Sequence, residues 1–208
     1  MPSSDPHAIR TPEALRAVLG SPPPGLADKN QALVDEFALE FIERSPLVVL
    51  ASASAEGELD ASPKGDAPGF VVVEDERTIV IPDRPGNKLA YGHENILANP
   101  KVGLLFMIPG TSETLRINGS AELTADPLLL ERLSARGKPA VLAIRVRVEE
   151  CFFHCGKAFL RSQAWKPEAW AERKKISFGA MIAKRTGGGE ETVAAVDAAI
   201  DADYRDNL

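Results

Sequence analysis

The sequence predicts a mainly β, α+β protein: six or seven short antiparallel strands in a barrel or sandwich, with flanking helices. Three observations carry this. Runs of β-forming residues are short and are separated by Pro, Gly and Asp clusters, as at 47–53, 70–73 and 77–81. These strands follow one another instead of alternating with helices, which argues against a doubly wound parallel sheet. The final run, 141–155, has period two: Leu142, Ile144, Val146 and Val148 alternate with Val141, Ala143, Arg145 and Arg147.

The elements follow in order. Among the early prolines one short helix fits, with Thr11 as its cap, Pro12 in its first turn and Gly20 as its stop. A longer helix is predicted over 28–44, where Val34, Ala38 and Ile42 join Leu33, Phe37 and Phe41 in a helical stripe. Strands are expected at 47–53, from 59 to a break at Pro63, at 70–73, and from 77 to a break at Pro82. A helix is expected to begin at Asn87-Lys88 and to end at Asn99-Pro100. Strands follow at 102–108 and 114–124, the second with a bulge at Gly119. Asp126 and Pro127 open a helix predicted to reach about residue 135. After the long last strand, helices are expected at 158–164, 177–186 and 190–203, with Gly187-Gly188-Gly189 as a flexible break.

The chain has 208 residues, 44% hydrophobic and 26% charged, which is enough to bury a real core. A net charge of −6 gives a nucleic-acid partner no electrostatic footprint. No apolar run reaches the ~18 residues of a membrane span, and the first residues carry no apolar leader core. A cytoplasmic protein without a membrane partner is therefore expected. The two cysteines, Cys151 and Cys155, flank His154 in C-F-F-H-C. In a strand, His154 points away from both thiols, so no metal site is expected there.

Four stretches set polar and cationic residues among Gly and Pro within the apolar framework. They are 62–66, 83–88, 111–118 and 157–165. The second holds Arg84, Asn87 and Lys88 at a predicted helix start, where free N–H groups attract an anion. Asp83 is expected to turn away from such an anion, onto Arg84 or a helix N–H. The third puts Arg116 on the face of a strand with Thr114 and Asn118, a costly place for an unpaired charge. The fourth brings Lys157 and Arg161 onto one helix face beside Trp165. A flavin accounts for all four: cations for a phosphate, an apolar or aromatic wall, and donors for the ring edges. Dinucleotide, phosphate-loop and nucleophile-elbow motifs are absent.

The motifs S-P-K-G-D-A-P-G-F (62–70), I-P-D-R-P-G-N-K (81–88), N-P-K-V-G-L-L-F-M-I-P-G (99–110), E-T-L-R-I-N-G (113–119) and R-S-Q-A-W (161–165) together resemble the pyridoxamine 5′-phosphate oxidase-like flavoproteins, in particular a bacterial branch. The resemblance spans roughly residues 30–185. It implies an FMN-binding split β-barrel over 28–186, preceded by an N-terminal arm (1–27) and followed by a helical tail (187–208). It implies a homodimer with FMN in a groove between subunits. Ser62, Pro63, Lys64 and Gly65 would border the isoalloxazine, and Arg84, Asn87 and Lys88 would hold the phosphate. Thr114, Leu115 and Arg116 would lie along the flavin from the facing strand. Arg161, Ser162 and Trp165 would come from the partner's C-terminal part. The expected function is hydride transfer through flavin N5 to or from an unidentified small-molecule redox substrate, with Lys64 or Arg116 stabilising reduced flavin. The alternatives are a flavin store or sensor without turnover, and a reductase using the deazaflavin F420. This chain has Arg-Pro-Gly-Asn-Lys where the founding oxidases carry Ser-Arg-Lys, and it lacks their Arg-Leu-x-Pro ending. Oxidation of vitamin B6 is therefore not expected.

Overall fold

A computed structural model describes residues 5–206. Seven strands form one antiparallel sheet: β1 (Leu47–Ala53), β2 (Leu59–Gly65), β3 (Val72–Asp75), β4 (Thr78–Asp83), β5 (Lys101–Met107), β6 (Thr114–Thr124) and β7 (Leu142–His154). Their order across the sheet is β2-β1-β5-β6-β7-β4-β3. Side chains of β2 and β4 nevertheless meet, with Lys64 Nζ 2.5 Å from Asp83 Oδ1. Four strands separate them in the sheet, so it must curl into an open barrel.

The barrel interior is filled by alternate residues of each strand: Val48 and Leu50, Ile79 and Ile81, Leu104 and Phe106, Leu115 and Ile117, Ile144 and Val146. Helix α2 (Glu36–Arg44), capped by Asp35, adds Ala38, Phe41 and Ile42 to this core. A second apolar cluster lies outside the barrel wall. There Val80 and Ala143 meet Leu129 and Leu133 from the region of α4 (Pro127–Arg132). Strand β4 is thus buried on both faces, which is why 78–82 reads as a nearly continuous apolar run.

Several expectations need correction. The helix predicted over 28–44 is two elements: a 3-10 turn at Leu26–Lys29 and then α2. Between them Gln31 makes a β-bridge to Cys151. That pairing satisfies backbone groups that a continuous helix would have used internally. Neither Pro63 nor Pro82 ends its strand. Pro63 lies on the edge strand β2, opposite Val49. Pro82 lies beyond the last residue of β4 paired with β3, opposite Ala143 of β7. A missing N–H is tolerated where a strand edge is free. The third strand starts two residues later than expected, and α4 ends earlier.

The remaining helices are α1 (Pro12–Leu19), α3 (Tyr91–Ala98), α5 (Lys157–Ser162), α6 (Phe178–Thr186) and α7 (Glu190–Asp206). Thr11 caps α1 and Gly20 ends it, as predicted. Helices α6 and α7 pack on each other. Ser177 Oγ donates to Asp197 Oδ2 at 2.6 Å, and the Gly179 N–H donates to Asp197 Oδ1 at 2.8 Å. Among the described residues, no helix is long and apolar enough to cross a membrane.

The bulge predicted at Gly119 is present, with the β6–β7 register shifting between Asn118 and Gly119. A Cβ on Gly119 would collide with the Arg147 carbonyl oxygen, which belongs to rigid backbone. Gly119→Ala should therefore destabilise the protein by ~1–3 kcal/mol, read as a lower midpoint in urea unfolding. An unchanged midpoint would contradict this packing.

Candidate functional site

The open seam of the barrel widens into a cleft of about 570 Å³. Its walls are Leu50, Asp60, Ser62 and Lys64 of the β1–β2 side, Asp83 of β4, residues 84–90, the start of α3, and Val141 and Leu142. Alternation along β2 turns Asp60, Ser62 and Lys64 to one side, where they are half-buried. The edge position of β2 exposes that side to the cleft.

Lys64, Asp83 and His93 form the polar floor. Asp83 Oδ1 accepts from Lys64, and Asp83 Oδ2 lies 3.5 Å from His93 Nε2, at the limit of hydrogen bonding. Among the described residues no other partner meets His93 Nε2, although the atom is buried. Burial alone would push the Asp83 carboxyl up. Hydrogen bonds from His93 and Lys64, and their charges, outweigh it and hold Asp83 below the usual carboxylate range. The expected partner of Asp83, Arg84 or a helix N–H, is corrected: its carboxylate pairs with Lys64. It faces the cleft because Lys64, across the seam, is its partner.

The segment 84–90 is irregular, and α3 starts at Tyr91, not at Asn87. Lys88 and Ala90 have φ of 63° and 57°, left-handed backbone that costs L-residues ~1–2 kcal/mol each. Asn87 Oδ1 accepts from the Leu89 N–H, closing a local turn. Arg84 points into the protein: Nε donates to Asp66 Oδ2 at 2.9 Å and Nη1 to the Leu133 carbonyl at 2.8 Å. Lys88 lines the cleft, and among the described residues no carboxylate pairs with it. The predicted anion site at the start of this helix is also altered. Ala90 supplies no side-chain cap, and a Cβ on Gly92 would lie 3.0 Å from Asp60 Oδ2. A carboxylate of the chain itself thus already lies over the first turn of α3.

The structure brings Ser62, Lys64, Arg84, Asn87 and Lys88 to one cleft. Pro63 and Gly65 alternate away from it on β2; a Cβ on Gly65 would meet the Pro46 carbonyl at 3.1 Å. The other predicted residues lie elsewhere in the same chain. Leu115 belongs wholly to the barrel core, and Thr114 is buried beside it. Arg116 is exposed, with its guanidinium 5.4 Å from the centre of the Phe152 ring. Arg161 and Ser162 are exposed on α5. Trp165 stacks on Phe159 at 5.3 Å and donates Nε1–H to the Thr111 carbonyl. Sequence reasoning missed Asp60, Asp66 and His93. Asp66 lies within the 62–70 motif, but nothing in its spacing points to Arg84. His93 stands in no motif that marks it, and among the described residues no group of three candidate metal ligands exists.

A family model described as pyridoxamine 5′-phosphate oxidase matches residues 34–155. The chain belongs to the pyridoxamine 5′-phosphate oxidase family. The matched segment runs from just before α2 through β7, so it contains the whole sheet and the cleft. The barrel is accordingly a split β-barrel of this family. No curated protein matches the chain. Among solved structures it is similar to HupZ from Group A Streptococcus, at 19% identity over 55% of this chain and 88% of that one, TM-score 0.45. It is similar to a protein of the pyridoxinephosphate oxidase family from Clostridium acetobutylicum, related to general stress protein 26 (16% identity, 57% and 86% covered, TM-score 0.45). It is also similar to an FMN-binding protein from Syntrophomonas wolfei subsp. wolfei (9% identity, 55% and 86% covered, TM-score 0.41).

The floor of the cleft has a pH signature. Asp83 titrates below its unfolded value of about 3.9. In that window the unfolded chain binds more protons, so stability rises with pH. The contribution is complete above about pH 5 and is lost as the pH falls through the folded value. Asp83→Asn should flatten the acid limb of a stability-versus-pH curve, measured by urea unfolding at stepped pH. Parallel curves for mutant and parent would show that Asp83 carries no such linkage.

Proposed function

We propose that the protein is an FMN-dependent oxidoreductase whose flavin occupies this cleft, completed by a second copy of the chain. The observation that carries the reading is the meeting, at one apolar-walled cleft, of Ser62 and Lys64 from one motif with Arg84, Asn87 and Lys88 from another. The volume lies within the ~300–1,000 Å³ typical of small-molecule sites, and the donor set fits a phosphorylated aromatic group. Leu50, Leu89, Val141 and Leu142 offer apolar walls to a ring system, and Ser62 offers a hydroxyl to its edge. Lys88 supplies an unpaired cation to the phosphate. The ammonium of Lys64, held by Asp83, places a partly neutralised positive charge beside the ring. When bound, FMN supplies hydride or electron transfer at N5.

The second copy enters because Arg116, Arg161, Ser162 and Trp165 lie outside this cleft in their own chain. Large apolar residues are also left exposed on the elements that border it: Leu59 on β2, Leu89 and Tyr91 before and at the start of α3, and Leu97 at its end. Such surface fits a partner better than solvent.

The purified protein should be yellow, or become so on addition of FMN, with flavin bands in its visible spectrum. A colourless protein that takes up no FMN would refute the reading, and F420 binding that excludes FMN would move it to the deazaflavin. Lys88→Ala should weaken FMN binding about tenfold or more, the worth of one charge-assisted hydrogen bond, read by flavin fluorescence titration. Size-exclusion chromatography should show a dimer. Elution as a monomer would remove the shared site.

A further inference from the structure

We infer that Asp66 is the positioning residue of the cleft, and that Arg84 acts through it to shape the phosphate-side loop instead of contacting the ligand. The inference deepens the flavin reading and rests on the same site. Asp66 follows the end of β2, its N–H donating to the Pro46 carbonyl at 3.1 Å. Its side chain is only 4% exposed, far below what an unpaired carboxylate tolerates. Three groups compensate the buried charge: the Ala67 N–H at 2.9 Å, Arg84 Nε at 2.9 Å and Arg136 Nη2 at 3.5 Å. Burial alone would push the carboxyl up; the hydrogen bonds and the two cations outweigh it, so the group stays ionised well below neutral pH.

The cluster joins three segments distant in sequence. Asp66 belongs to the β2–β3 connection, Arg84 to the loop after β4, and Arg136 and the Leu133 carbonyl to the connection between α4 and β7. Arg84 can bridge two of them because a guanidinium presents several donors in a rigid fork. Its Nε and Nη1 are committed to Asp66 and Leu133. Four residues further on, Lys88 and then Ala90 hold left-handed backbone. Strain of this kind persists only where the surroundings over-determine the conformation. The Asp66–Arg84–Leu133 clamp fixes the root of that loop, and with it the place of Lys88. The charges thus divide in role: Arg84 builds the loop, and Lys88 meets the anion.

The two roles separate in a comparison of FMN with riboflavin, which lacks the phosphate. Arg84→Ala and Asp66→Asn should weaken both ligands by a similar factor, leaving their affinity ratio within about twofold of the parent's. Lys88→Ala should lower that ratio about tenfold. Arg84→Lys keeps the charge but not the fork, and should behave like Arg84→Ala. A fall in the ratio for Arg84→Ala as large as that for Lys88→Ala would overturn the inference, making Arg84 a phosphate ligand. A second arm needs no flavin. Trypsin cannot cut Arg84-Pro85 but can cut after Lys88. Asp66→Asn should speed cleavage after Lys88 about tenfold at a temperature where circular dichroism shows the fold retained. Cleavage at the parent rate would overturn the inference too. Should the parent protein bind neither flavin, the proposed function fails, and the trypsin arm alone decides the role of Asp66.

Discussion

The contact between Lys64 and Asp83 is the constraint on which the rest of the site depends. It joins strands that have four others between them in the sheet but are neighbours across the seam of the curled barrel. Both side chains are mostly withdrawn from water, so neither charge could sit there alone without a large desolvation penalty. The pair therefore works in two directions. It draws the seam together at its lower edge, and it forces the polar ends of β2 and β4 to face one another. The cleft is what remains of the seam above that contact, with apolar wall on its flanks and ionised groups on its floor.

A second constraint is electrostatic. Cations and carboxylates interleave around this cleft, and each buried carboxylate takes a cation out of play. Asp83 holds Lys64, and Asp66 holds Arg84. Positive residues near a cleft are thus a poor measure of its affinity for anions. The relevant quantity is the charge left after internal pairing, and here Lys88 carries most of it. The same logic explains why a loop with two left-handed residues is tolerable. Its root is tied by a buried ion pair, which trades some stability for a defined shape.

Much of the sheet was legible from the chain because one mechanism dominates it. Alternation between interior and exterior writes a period of two, clearest in β7, and every strand appears close to its predicted place. The misjudged boundaries share a cause. Pro63 and Pro82 read locally as breaks, yet an edge position relieves a missing N–H, and strand order is not local information. Likewise Gln31 leaves the helical pattern because a partner far along the chain, Cys151, offers its backbone instead. The site divides in the same way. Ser62, Lys64, Asn87 and Lys88 could be picked out as polar residues among turns. The roles of Asp60, Asp66 and His93 could not, since their meaning comes from what lies opposite them.

By itself the sequence determined the set of strands, the bulge at Gly119, the caps of α1 and α4 at Thr11 and Asp126, and the polar and cationic residues set among the turns at 62–66 and 83–88. Each is a local property, fixed by backbone conformation or by the alternation of buried and exposed positions within a few residues. Only the tertiary structure decided that the sheet curls, that Lys64 meets Asp83 across the seam, that α3 begins at Tyr91, and that Arg84 turns inward to Asp66. Those outcomes rest on the cost of burying a charge without a partner. That cost depends on distance in space, which the order of residues along the chain does not record.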